Sequence, residues 1–191
     1  IGTLRADHFR DTTDTTSEEG TNFFAADNQN VILASGNLDQ IETNKRAGDI
    51  RDLLIDLQGD IGKVRAYSID GLLLFVDNNV GQVDAKGMIA RSWFLTGQVD
   101  RIQAQDDIAR LTVETAGPIK KFTSKRGAIT QLNLSVDGPD GSLSKLDAMY
   151  DITGSISVSG PISKIQSKQG DIIGSISTFS GDGDIKQLRS A

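Results

Sequence analysis

The sequence predicts an all-β fold, a single-stranded parallel β-helix (β-solenoid) of about eight coils, each of roughly 20–23 residues. Three observations carry this. A Gly-x-[Ile/Leu/Val] unit starts at Gly36, Gly48, Gly59, Gly71, Gly81, Gly87, Gly97, Gly117, Gly127, Gly141, Gly160, Gly170 and Gly183, with Asp106 filling one further slot. Its usual step is about 10–12 residues, so two steps complete one coil. Apolar residues then fall two, five and often seven places after the glycine, as in Ile61, Val64 and Ala66 or Val99, Ile102 and Ala104. The last two of these have the period of two that belongs to a strand with one buried face. Finally, β-branched residues dominate and a glycine returns in every unit, a combination that costs a helix heavily and suits short strands joined by bends.

From the N-terminus, "IGTLRA" reads as part of a coil and residues 7–30 as a polar loop inserted into it, because "DTTDTTSEEG" has little apolar surface to bury. The chain re-joins the repeat through "NVILASGNLDQI". Residues 71–96, which hold Phe75, Trp93 and Phe94, form the least regular zone, where a bulge or an extra loop is expected. Regular units resume and continue to "GDGDIKQLRSA", which stops partway through a unit. The whole chain, 1–191, is thus one solenoid domain. A hairpin sandwich would need Asn-Gly or Asp-Gly loops; "IDGL" at 69–72 and "VDGP" at 136–139 qualify, but most glycine slots do not. Stacking like on like accommodates all of them, with the glycine marking a corner that wants positive φ or no side chain.

Composition agrees. Hydrophobic residues make up 37% and aromatics 5%, so the core is a narrow aliphatic one. The absence of cysteine removes disulfide scaffolds and cysteine zinc modules. A net charge of −6 argues against nucleic acid and acidic membranes as partners, and no run of about 18 apolar residues spans a bilayer. The chain opens at Ile1 without an initiator methionine, as expected of a processed chain or a segment of a longer solenoid.

Two sets of residues stand out as candidate contacts. The position four after the glycine is polar and often basic, giving Lys63, Arg101, Arg110, Lys121, Lys145 and Lys164. Stacked, these would form columns along the rod able to meet a polyanion or another partner. The plainer reading is that Asp49, Asp60, Asp107, Asp171 and Asp184 neutralise them as surface pairs. At the two ends, Ile1, Leu4, Ile185 and Leu188 would lie on open rungs and are the expected end-to-end contacts. The serines of "GSISVSGPISKIQSKQG" read as the solvent face of strands, and Asn133 heads a glycosylation-type triplet. Asp106/Asp107, Asp137/Asp140 and Asp182/Asp184 are the carboxylate pairs that acid–base chemistry or calcium would use, although such Asp-Gly clusters are also ordinary turn chemistry. His8 stands alone. No catalytic residue and no cofactor is expected; Ca2+ is the one ion the acidic pairs would suit.

The units "GDIGKVRA", "GPIKKFTS", "GPISKIQS" and "GDIKQLRS" resemble the Gly-x-Ile-x-x-Leu-x-Ala solenoid repeats of very large secreted and cell-surface proteins of bacteria and archaea, from Gly36 to Ala191. Bactofilins, cytosolic filament formers with a β-helical core, are a second likeness, with a more regular alternation. The first resemblance implies export, a cell-surface location and a structural or adhesive role. The expectation is therefore an extracellular structural rod, not an enzyme, that self-associates end to end or sits in a longer stalk, filament or sheath, with a glycan as a further ligand. The alternative is a β-helix that binds or cleaves a polysaccharide.

Overall fold

The computed structural model describes residues 3–6, 30–43, 48–179 and 183–191. Among them there is no helix; seventeen strands, every pairing parallel, form one continuous sheet wound into a β-solenoid of about eight turns. The inserted loop expected at 7–30 lies outside the described residues apart from Asn30.

Each coil has three walls. The first is two residues long, as in Ile50–Arg51 and Ile69–Asp70; the second runs through segments such as Leu53–Leu57; the third through segments such as Ile61–Ala66. Where no turn interrupts the corners, one strand covers several walls, and Ile89–Ala104 traverses all three. The first wall is a pure isoleucine column: Ile50, Ile69, Ile89, Ile108, Ile129, Ile152 and Ile172 stand in register, 19–23 residues apart. The second contributes Ile32, Ile55, Leu74, Phe94, Val113, Leu134, Ile156 and Ile176. The third contributes Ile41, Val64, Val83, Ile102, Phe122, Leu146, Ile165 and Leu188. All but the last coil's members of these columns are buried in one cluster on the rod axis. Each such aliphatic side chain contributes about 1.5–3 kcal/mol when fully buried. Phe94 and Phe122 show that an aliphatic column accepts an occasional ring.

The i, i+3 step that looks helical in the sequence has a simple origin. In Ile61–Ala66 the inward residues are Ile61, Val64 and Ala66, and Gly62 and Lys63 both turn outward between the first two. Residues 71–96 follow the coil in extended strands, with a bulge where the register slips between Val76 and Asn79.

The corners divide two tasks between them. At the corner from the first to the second wall, each of the seven coils whose corner is described places its residue at positive φ: Asp52, Gly71, Arg91, Arg110, Gln131, Gly154 and Gly174. Only three of the seven are glycines, so four L-residues hold a left-handed conformation that costs roughly 1–2 kcal/mol each. The recurrent repeat glycine does something else. Asp107 Oδ1 accepts the Ala128 backbone N–H (2.8 Å) from the coil above, and a Cβ on Gly127 would collide with that same oxygen and lie 2.6 Å from the Asp107 nitrogen. Asp151 does the same for the Asp171 N–H (2.9 Å) beneath Gly170. At Gly59, Gly127 and Gly170 the glycine makes room for a side-chain acceptor that staples one coil to the next. "IDGL" forms no hairpin; its Gly71 is one of the left-handed corner residues.

Gln131→Gly, which relieves a left-handed side chain, should raise unfolding free energy by about 0.5–1 kcal/mol, and Gly127→Ala should lower it by about 1–3 kcal/mol. Urea titration followed by circular dichroism reads both; equal effects in the two variants would refute the division of tasks.

Candidate interaction surfaces

The alternating units fall on two different corners, and this sorts the basic residues. Units that lead into the third wall place Gln40, Lys63, Gln82, Arg101 and Lys121 in one registered outward column. Lys145 and Lys164 continue it, each one residue before the stacked Leu146 and Ile165. Units that lead into the first wall place their fourth residue at the left-handed corner, so Arg110 stands there with Arg91 and away from the others.

The column beside the basic one, two residues further along each strand, holds Glu42, Arg65, Asp84, Gln103, Thr123, Asp147 and Gln166. It supplies the counter-charges. Arg101 donates through Nε (3.0 Å) and Nη2 (2.7 Å) to the two oxygens of Asp84, and Nη2 also reaches Gln82 Oε1 at 2.7 Å. Arg65 bridges Glu42 (3.5 Å) and Asp84 (3.9 Å). Lys145 and Lys168 converge on the buried Asp147 at 3.3 and 3.5 Å. The expected neutralising set is thus corrected in part. Asp60 and Asp107 accept backbone N–H groups of Asn79 and Ala128, and Asp49 pairs with Arg51 at 3.1 Å, whereas Asp84 and Asp147 hold the basic column. The reason is geometric: in a stack, the nearest charge comes from the adjoining column, one rung away for Arg101 and Asp84 and on the same rung for Lys145 and Asp147. Among the described residues Lys63, Lys121 and Lys164 have no ion-pair partner. A hollow of about 290 Å³ beside Asp84 is lined by Arg65, Lys86 and Gln103.

At the corner, Arg91 binds both oxygens of Asp70 at 2.7 and 2.5 Å. That hydrogen bonding, then the charge of Asp70 itself, holds the guanidinium above its ordinary range. Of the candidate carboxylate pairs, Asp106 is bound to Arg126 (3.0 Å), Asp107 to backbone, and Asp137 to the Ser135 hydroxyl (2.9 Å). Among the described residues no group of three or more His, Asp or Glu side chains converges as a metal cluster. His8 and Asp182 lie outside the described residues.

The outer face of the second wall carries a feature the repeat did not announce. In the N-terminal coils one of its outward columns runs Leu54, Leu73 and Trp93, and the other Leu33, Asp56, Phe75 and Leu95, so an exposed carboxylate interrupts an otherwise apolar face. Trp93 and Leu95 are 41% and 46% exposed, and Phe75 meets Trp93 edge to face at 5.8 Å. A hollow of about 240 Å³ opens between Phe75, Leu95 and Asp77. Further up, the first column becomes Thr112, Asn133, Ser155 and Ser175, the last two with oxygens 3.0 Å apart, and the second becomes Glu114, Ser135, Ser157 and Ser177. The signal was present in "LLLFV" and "SWFL", where apolar residues do not alternate and so face both ways.

At the C-terminal end, Ile185 and Leu188 stack on Ile162 and Ile165 with their other side uncovered by any described residue. Leu4 pairs by register with Ile41, and Ile1 lies outside the described residues. No family model matches the chain, and neither a curated protein nor a solved structure is detectably similar to it.

Asp84→Asn should lower stability by about 1–2 kcal/mol, because Arg65 and Arg101 both lose their shared acceptor, while Lys63→Ala should change it by less than about 0.5 kcal/mol. Urea midpoints at low salt check this; equal midpoints would mean the charge network contributes nothing.

Proposed function

We propose that this chain is an extracellular structural protein, a β-solenoid rod whose C-terminal rung is continued by a further coil, either of a second copy or of a longer stalk, filament or sheath. In this reading it is not an enzyme and needs no cofactor. One observation supports it above the others. Ile162 and Ile165 are fully buried, yet Ile185 and Leu188, the next members of their columns, are 40% and 53% exposed. The strands Ile172–Thr178 and Leu188–Arg189 likewise pair with described residues on one side only. A parallel edge with unpaired N–H and C=O groups, beside half-exposed core side chains, favours strand addition. The surface location draws on the resemblance of the repeat units to those of secreted and cell-surface solenoids.

Negative-stain electron microscopy of the purified chain at neutral pH should show filaments or sheets. Leu188→Asp should abolish end-to-end growth, because a carboxylate would be buried between rungs at a cost of several kcal/mol, and should leave the β circular dichroism signal intact. Filaments that persist in Leu188→Asp would place the contact elsewhere. Monodisperse rods that deplete a polysaccharide panel would favour the carbohydrate-binding alternative.

A further inference from the structure

We infer that the third wall of the C-terminal coils is a binding strip for a linear acidic polysaccharide laid along the rod axis. On the three consecutive rungs 119–125, 143–149 and 162–168 this wall carries six lysines, Lys120, Lys121, Lys125, Lys145, Lys164 and Lys168, and a single acidic residue, Asp147. The chain as a whole has a net charge of −6, so positive charge is segregated onto this face. Lower on the same wall the signs are mixed, with Glu42, Arg65 and Asp84 stacked in one column.

The basic side chains stand in register. Lys121 stacks on Arg101; Lys145 comes one residue before Leu146, which stacks on Phe122; Lys164 comes one residue before Ile165, which stacks on Leu146. Four successive rungs therefore hold a cation at one position, about 4.8 Å apart. Like charges directly opposite on neighbouring strands destabilise a sheet. The fold relieves only two of the four. Asp84 takes Arg101 at 2.7 Å, and the buried Asp147 lies 3.3 Å from Lys145 and 3.5 Å from Lys168. Lys121 and Lys164, two rungs or about 10 Å apart, have no ion-pair partner among the described residues, and neither has Lys125.

The shape of the strip selects its ligand. Asp137 and Asp140 stand on the corner that leads into the wall, and Asp151 and Asp171 on the corner that leads out of it. An anionic bilayer or a nucleic acid duplex, broad enough to reach these corners, meets like charge there. A thin chain running along the rod meets only the lysines. Phe122, the one ring on the three rungs, is buried, so the stacking platform that single-stranded nucleic acid uses is missing. In an extended, ribbon-like glycan with one acid group per sugar, successive acid groups point to opposite sides. Those that face the wall recur every second sugar, close to the two-rung interval between Lys121 and Lys164. Each ammonium brings three rotatable donors and accepts a carboxylate or a sulfate alike.

The strip lies below the last described rung and does not rest on rung addition. Biolayer interferometry on immobilised polysaccharides tests it, with the chain intact and again as Leu188→Asp, in which binding should persist. At about 0.02 M salt the chain should bind polygalacturonate or sulfated dextran and not neutral dextran, and about 0.5 M salt should abolish the binding. The tighter of the two acidic glycans tells carboxylate from sulfate. Lys121→Glu and Lys164→Glu should each weaken binding at least about fivefold with an unchanged circular dichroism spectrum. Lys86→Glu, the same change of net charge on a lower rung at the edge of the same wall, should alter it less than about twofold. Binding to neither acidic glycan, equal binding to neutral dextran, or equal weakening by all three substitutions would each overturn the strip. Capture by phosphatidylserine vesicles or single-stranded DNA, with neither acidic glycan bound, would reassign the lysines to that partner.

Discussion

Every coil hydrogen-bonds to the next through the backbone amide at the head of its first wall. Ile50, Ile69, Ile89, Ile108, Ile129 and Ile152 each donate N–H to the carbonyl just before the matching isoleucine one coil on, at 2.8–3.0 Å. That repeated bond fixes the rung spacing and, with it, the register of every column. Because the side chains must then lie directly above one another, like stacks on like, and a change on one rung is felt chiefly by the rungs above and below. The pure isoleucine column, the carboxylate staples at Asp107 and Asp151, and the left-handed corner all follow from holding one geometry through coils of 19–23 residues.

Much of this is legible in the order of residues. The positions two and five after each glycine became the stacked columns because the burial period of a strand is written directly in the order of residues. The likeness in register of the basic residues was readable for the same reason. What the sequence could not say is which of the two corners each unit serves. Lys63 and Arg110 occupy the same place in their units, yet one faces out from the third wall and the other sits at positive φ, because one unit leads into that wall and the other into the two-residue first wall. The role of the glycine was half readable: the choice between backbone freedom and absence of a side chain turns on what the previous coil puts beneath it. Asp84 is hidden as a counter-charge because it meets Arg65 and Arg101 across coils, whereas Asp147 lies two residues from Lys145 on its own strand and meets only Lys168 across coils.

The surfaces divide along the same lines. On the third wall, acidic residues of the adjoining column pair with Arg65, Arg101 and Lys145, while Lys63, Lys121 and Lys164 have no ion-pair partner among the described residues. On the second wall the balance is absent, and apolar and singly charged groups face outward without partners from their own coils. At the C-terminal rung a strand edge and the half-exposed Ile185 and Leu188 have no described residue on their outer side.

Hydrogen exchange resolved by coil addresses this dependence most directly. In dilute solution, amides from Ile50 to Val158 should be strongly protected and those of Ile172–Thr178 and Leu188–Arg189 weakly so, with the last coil gaining protection as concentration rises. A final coil as protected in dilute monomer as the interior ones, or interior coils that exchange as freely as the last, would contradict the dependence of each rung on the next.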